Sequence, residues 1–216
     1  MSERRLRAHG EMMKLGSMRK KLLALYDDID RRTQATAEEH AWWPCRRGCD
    51  SCCHRLAEIP RLVRAEWQLL REGLDALEPN VRAEVDAKIA DLAAAERDGR
   101  VPRHVVCPLL DEREGACRVY AHRPGACRTY GFYVERGIGL HCGMITAAVA
   151  ARPPDEEPIV WGNAEGVDYA LARLDGAADA STAGVSLTAW ASWSSSEAKV
   201  PPPPEPADPS SPSSEM

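Results

Sequence analysis

Between Pro44 and His54 the chain reads PCRRGCDSCCH, with four cysteines in nine residues and two of them, Cys52 and Cys53, adjacent. Core packing does not ask for this, because Leu or Val would fill such positions. Thiols this concentrated point to disulfides, a nucleophilic thiol, zinc or an iron–sulfur centre. All eight cysteines lie between Cys45 and Cys142, with none in the first 44 residues or the last 74. The start, MSERRLRAHGEMMKLG, is charged and lacks the apolar stretch of a secretory leader, which predicts a cytoplasmic protein. No apolar run approaches the ~18 residues that cross a bilayer, so no membrane partner is expected. In the cytoplasm clustered thiols read as metal binding or redox chemistry before disulfides. Eight cysteines in 216 residues are also far fewer than the roughly 8–10% that marks a disulfide scaffold.

Two local conformations bring the sulfurs of residues 45–53 together. In a helix Cys49 would face Cys45 at one end and Cys52 and Cys53 at the other, through three- and four-residue spacings. In a loop Gly48 would permit a left-handed turn that wraps the chain around a centre. Free thiols have no reason to converge. Thiolates around a cation do, because the ion deprotonates them and offsets their repulsion. The remaining cysteines, Cys107, Cys117, Cys127 and Cys142, are separated by nine, nine and fourteen residues. Only Cys49 and Cys52 have the gap of a zinc knuckle, and the spacing matches neither common ferredoxin pattern. Spacing therefore does not select the metal.

Arginines stand near these cysteines in sequence: Arg46, Arg47, Arg55, Arg118, Arg123 and Arg128. A four-thiolate zinc site carries about two excess negative charges, and Arg123 and Arg128 are the readiest to offset it; otherwise they are surface residues of an Arg-rich chain. His54 follows Cys53, and His141 precedes Cys142. Each is a ligand, a donor to a thiolate or simply a neighbour.

Around the cysteines the pattern is helical. Leu15, Met18, Leu22, Leu25 and Ile29 form one stripe in a helix from about Glu3 to Arg32, weakened early by Gly10 and Gly16. Residues 1–33 carry nine Lys/Arg and five Asp/Glu, a net of +4. Without interleaved aromatics this reads as a solvated helix face, not a nucleic-acid arm. Pro60 is expected in the first turn of a helix striped by Val63, Trp67, Leu70, Leu74 and Leu77. A second helix, from about Asn80 to Asp98, completes a helical hairpin, with Gly99 ending it. VVCPLL and ACRVY are short β-prone runs joined at Gly115, HRPGACRTY starts a helix at Pro124, and GFYVERGIGL is an irregular strand pair. MITAAVAA and AEGVDYALARL are short helices, and LTAWASW docks as a helical turn through Leu187, Trp190 and Trp193. Seven prolines between Pro201 and Pro212 make the tail disordered by composition. The expected fold is mainly α with short β hairpin elements, an α+β mix. Its parts are an N-terminal amphipathic helix over 1–40, a cysteine-cluster metal-binding domain over 41–175, and a Ser/Pro-rich low-complexity tail over 176–216.

The series PCRRGCDSCCH, helical hairpin, CPLL, CRVYAHRPGACRTY and a last cysteine resembles the YkgJ-type cysteine-cluster family, also described as a zinc- or iron-chelating CxxCxxCC domain. The resemblance spans roughly Trp42 to Cys142. It implies metal ligation by Cys45, Cys49, Cys52, Cys53, Cys107, Cys117, Cys127 and Cys142, with Arg123, Pro124 and Arg128 matching a second signature. The first cysteine gap is three residues here, where the family has two. The cofactor so implied is an iron–sulfur cluster or zinc, with no reaction attached. An enzyme using the cluster for redox or methyl transfer is one alternative, since a similar module occurs in flagellin lysine N-methylases. No Gly-rich cofactor loop or P-loop supports it. The other alternative is a metal-stapled module meeting protein partners through the N-terminal helix or the Pro-rich tail.

Overall fold

A computed structural model describes residues 3–56, 58–153, 156–176 and 184–195. The Pro-rich part of the tail lies outside the described residues. The architecture is the expected α+β mix, with helices carrying the framework and short strands pairing between them.

The first helix, α1 (Glu3–Glu39), runs on through both glycines and seven residues beyond the sequence-based end at Arg32. It continues because its buried stripe continues: Leu22, Tyr26 and Ile29 are followed by Thr36, and His40 is buried just past the end. Pro60 does not open the next helix. The chain first forms β1 (Arg61–Leu62), which pairs antiparallel with β7 (Val185–Ser186). Only then does α2 (Arg64–Asp75) begin. A strand partner more than a hundred residues away leaves no local trace, which is why the proline alone misleads. α3 (Pro79–Arg97) starts with proline in its first turn, where a missing N–H costs nothing.

α2 buries a wide face, leaving Arg71, Glu72 and Asp75 exposed, and divides two cores. On one side Val63, Ala65 and Leu69 join Leu22, Tyr26 and Ile29 of α1, Phe132, Ile145, and Ala164, Val167 and Leu171 of α6 (Ala164–Asp175). On the other, Trp67, Leu70 and Leu74 join Val85 and Ile89 of α3, Leu109, Leu110 and Val119. This second core is closed by Leu187 and Trp190 of α7 (Leu187–Ser195). Trp190 stacks on Trp67 at 6.2 Å and donates its indole N–H to the Leu62 carbonyl at 2.8 Å. Leu187 and Trp190 thus make the docking expected of LTAWASW, and the Trp193 side chain lies outside the described residues.

Between α3 and α6 the chain makes β2 (Leu110–Asp111), β3 (Ala116–Cys117), a 3₁₀ turn (Tyr120–His122), α4 (Gly125–Thr129), β4 (Tyr133–Glu135), β5 (Ile138–Gly139) and α5 (Gly143–Ala150). β2 and β3 are an antiparallel pair with Leu110 opposite Cys117. β4 pairs antiparallel with β5 and, unforeseen from sequence, parallel with β6 (Gly162–Asn163). Two-residue strands have no periodicity to read. No described helix is long and apolar enough to cross a membrane.

Candidate metal centre

Residues 45–53 form a chain of tight turns, so the loop alternative holds and the helical one does not. The Cys49 N–H bonds the Arg46 carbonyl at 3.0 Å, the Cys53 N–H bonds Asp50 at 2.8 Å, and Gly48 takes φ +90°. A side chain at Gly48 would be strained in that conformation. The turns point the sulfurs two ways. Cys45, Cys49 and Cys52 line a small pocket together with Cys142, Tyr130 and Ile145. Cys45 and Cys142 rest against the first core. Cys53 instead packs on the second core beside Cys107 and Cys117.

Each remote cysteine is delivered by a distinct backbone device. Cys107 donates its N–H to the Cys53 carbonyl at 2.7 Å, and its carbonyl accepts the Leu110 N–H that starts β2. Cys117 sits on β3 opposite Leu110. Cys127 lies in the single turn of α4, its N–H on the Pro124 carbonyl at 3.0 Å. Cys142 is the N-cap residue of α5. Cys45 donates to the Tyr130 carbonyl at 3.9 Å, and next to it Gly131 has φ +94°. A Cβ on Gly131 would stand 3.0 Å from both the Cys45 sulfur and Ile145 Cδ1. Glycine is thus required there by conformation and by space together.

All eight thiols are free. Cys52 and Cys53 stand 4.0 Å apart, sulfur to sulfur. Thiolates on one tetrahedral zinc would be about 3.8 Å apart, given a Zn–S bond of about 2.3 Å. Among the described residues, no three His, Cys, Asp or Glu side chains form a closed ion-binding group. Five of the thiols are pushed above the usual range. Burial, then Cys49 and Cys52, push the Cys45 thiol up to about 12. The bond to Cys107 leads in raising Cys53 to about 12, and burial leads for Cys127, also up to about 12. Cys52 is raised by its hydrogen bond to Cys53 and by burial, and Cys117 by burial. Thiols in this range are protonated at neutral pH, and only a nearby positive charge makes several thiolates tolerable together. The donor set fits a thiophilic ion: sulfur only, free, and clustered, with no hard oxygen ligand among them.

One cation already faces the sulfurs. Arg123 lowers Cys45, Cys52, Cys117 and Cys127 alike, against the effect of burial. It is fixed by its Nε–H to the Tyr120 carbonyl at 3.2 Å and lies 3.6 Å over the Tyr120 ring. Arg128, the other expected counter-charge, is used elsewhere. It donates to Asp30 at 2.6 Å, to the Ala121 carbonyl at 2.7 Å and to the Arg123 carbonyl at 2.9 Å. It therefore ties α4 to α1 and holds the backbone of Arg123. Arg118 pairs with Glu84 and Asp111. The two flanking histidines also have other partners: His54 pairs with Asp50 at 2.9 Å, and His141 stacks on Trp161 and meets Thr146.

Glu66 was not foreseen. It is buried in α2, its Oε1 accepting from the Tyr26 hydroxyl at 2.8 Å and the Gly125 N–H at 2.7 Å, and its Oε2 from the Val63 N–H at 3.0 Å. Burial raises its carboxyl above the usual range, opposed by those three donors. Glu66 thereby fixes the start of α4, the helix that carries Cys127. The readable signal was an acid within an apolar stripe, three residues after Val63 where a helix begins.

Residues 44–148 match the CxxCxxCC family model. The family is described as "Putative zinc- or iron-chelating domain". The matched CxxCxxCC region begins just before Cys45 and ends beyond Cys142, so it contains all eight cysteines together with Arg123 and Glu66. No curated protein matches the chain, and no solved structure matches it.

Proposed function

We propose that the chain is a cytoplasmic metal-binding protein whose cysteine thiolates hold zinc or an iron–sulfur cluster. The ligands in this reading are Cys45, Cys49, Cys52, Cys53, Cys107, Cys117, Cys127 and Cys142. One observation carries it: free thiols from segments far apart in sequence are brought side by side, Cys45, Cys49, Cys52 and Cys142 around one pocket and Cys53, Cys107 and Cys117 on one core. The match to a family described as zinc- or iron-chelating supports the same reading. Zinc would supply a redox-inert staple, and a cluster an electron carrier.

The chain's own residues do the rest. The turn at Gly48 and the cap of α5 present Cys45, Cys49, Cys52 and Cys142; the same turn presents Cys53, and the β2–β3 pair and α4 present Cys107, Cys117 and Cys127. Arg123 offsets part of the thiolate charge. The metal unit in this reading is residues 41–175, closed by Leu187 and Trp190, with the exposed face of the 1–40 helix and the Pro-rich part of the 176–216 tail left for protein partners. Metal analysis of protein purified anaerobically tests the proposal. Stoichiometric zinc in a colourless sample, or iron with sulfide in a brown one, is expected. A folded preparation with neither, and no uptake on reconstitution, would end it.

A further inference from the structure

We infer that the eight cysteines form two separate four-thiolate centres, Cys45, Cys49, Cys52 and Cys142 in one, Cys53, Cys107, Cys117 and Cys127 in the other. The inference rests on the metal-binding reading above and deepens it.

Three independent features draw the same boundary. The first is the pocket, whose four sulfurs are those of Cys45, Cys49, Cys52 and Cys142. The second is packing: Cys45 and Cys142 rest on the core that α2 shares with α1 and α6, whereas Cys53, Cys107 and Cys117 rest on the core it shares with α3 and α7. The third is the backbone. Cys53 and Cys107 are joined directly by an N–H to carbonyl bond, and Cys107 is joined through Leu110 to the strand pair carrying Cys117. Nothing comparable links Cys45, which is tied to Tyr130.

Cys127 joins the second group by remainder: it does not line the pocket, whose four cysteines already complete the first. The boundary passes between Cys52 and Cys53. Their sulfurs meet at 4.0 Å, so the two groups touch at this pair, Cys52 lining the pocket and Cys53 packing on the second core beside Cys107. Cys49 and Cys52, a Cys-x-x-Cys pair, fall together. Four thiolates saturate a tetrahedral zinc and also suffice for a [2Fe–2S] or [4Fe–4S] cluster, so the count of centres does not depend on which metal is held.

The test is metal content per chain, read on wild type and on two pairs of substitutions. Zinc-loaded wild type should hold two zinc ions, and cobalt titration of the reduced apo protein should end at two equivalents by the thiolate-to-cobalt absorption band. If the native metal is iron, the variants are read against the wild-type iron and sulfide content. C45S with C49S should halve the metal, and so should C117S with C127S, each keeping the other centre. A wild-type endpoint at one equivalent would overturn the division while leaving metal binding intact. So would complete loss of metal in both variants. No metal in wild type would remove the underlying proposal. Because the cobalt endpoint is read on wild type, the test survives a variant that fails to fold.

Discussion

Two polar centres sit close together in this molecule and are completed in opposite ways. Around Glu66 every oxygen is met by a donor from the chain: a hydroxyl from α1, an amide from α4 and an amide from the residue before α2. Around the cysteines the chain supplies sulfur on sulfur, with one arginine. The first centre is finished by protein alone, and the second leaves its charge requirement open. A buried network that is fully satisfied rigidifies its neighbourhood. An array of neutral thiols makes only weak hydrogen bonds and so holds its loops together weakly. The difference teaches that the helical framework and the sulfur loops draw on different sources of stability.

Removing metal should give the largest effect and separate the two. Binding of structural zinc to small domains is worth roughly 10–16 kcal/mol at neutral pH, comparable to or larger than the whole stability of a typical domain. A chelator under reducing conditions should therefore abolish hydrogen-exchange protection in residues 45–56 and 105–118, while α1, α2 and α6 around Glu66 retain theirs. Equal protection in both regions after chelation would break the comparison. Next comes E66A. It strands the Tyr26 hydroxyl and the Gly125 and Val63 amides in the interior, at about 3–5 kcal/mol in a urea titration if each unmet donor costs about 1–3 kcal/mol and part is relieved by relaxation. E66Q should cost less, because its carbonyl still accepts from two of the three donors. An E66A variant as stable as wild type would show that the framework does not depend on this carboxylate.

How much of this could be read beforehand depended on how local the cause was. The stripe of α2, the glycine ending α3 and the docking tryptophan of α7 all follow from neighbours within one or two turns. At 45–53 the sequence left a helix and a Gly48 loop both open, because three- and four-residue cysteine gaps suit either. Pro60 misled because β1 exists through Val185, far along the chain. The pairing of β6 with β4 rests on two residues, too few to show alternation. Arg123 and Arg128 looked equivalent in sequence, and only the position of Asp30 on α1 sends one of them away from the sulfurs. The division of the cysteines was illegible for a deeper reason: it is drawn by two cores that α2 separates.

A smaller effect than either substitution, and one that sharpens the comparison, is pH. Without metal, Cys45, Cys53 and Cys127 are pushed up to about 12 in the folded chain, against about 8.5 when unfolded. A raised folded value contributes stability that is fully present below about pH 8.5 and is lost as pH rises towards 12. The metal-loaded protein should behave oppositely. Its thiols are deprotonated, each metal displaces protons, and apparent affinity rises with pH by about tenfold per unit for each proton released. Thermal melts of apo and loaded protein across pH 6 to 10 should therefore diverge, the loaded form losing metal on the acid side and the apo form losing stability on the alkaline side. Parallel profiles would mean that the thiols are not the ligands.

The smallest expected change tests the arginine whose charge reaches cysteines of both sulfur groups. Arg123 is held by a backbone carbonyl and a tyrosine ring, and a cation–π contact at a partly exposed site is worth about 0.5–1 kcal/mol. R123Q should thus lower stability by no more than about 1 kcal/mol. Metal affinity should fall further, by several-fold to tenfold, because the positive charge that favours thiolates at Cys45, Cys52, Cys117 and Cys127 is gone. R123K keeps the charge but not the planar fork, and should recover most of the affinity while the Tyr120 contact stays weakened. Competition with a chromophoric chelator reads affinity, and a urea titration reads stability, so the two effects separate. If R123Q loses stability and metal in proportion, Arg123 is merely part of the framework, and the sulfur centres lack the counter-charge assigned to them here.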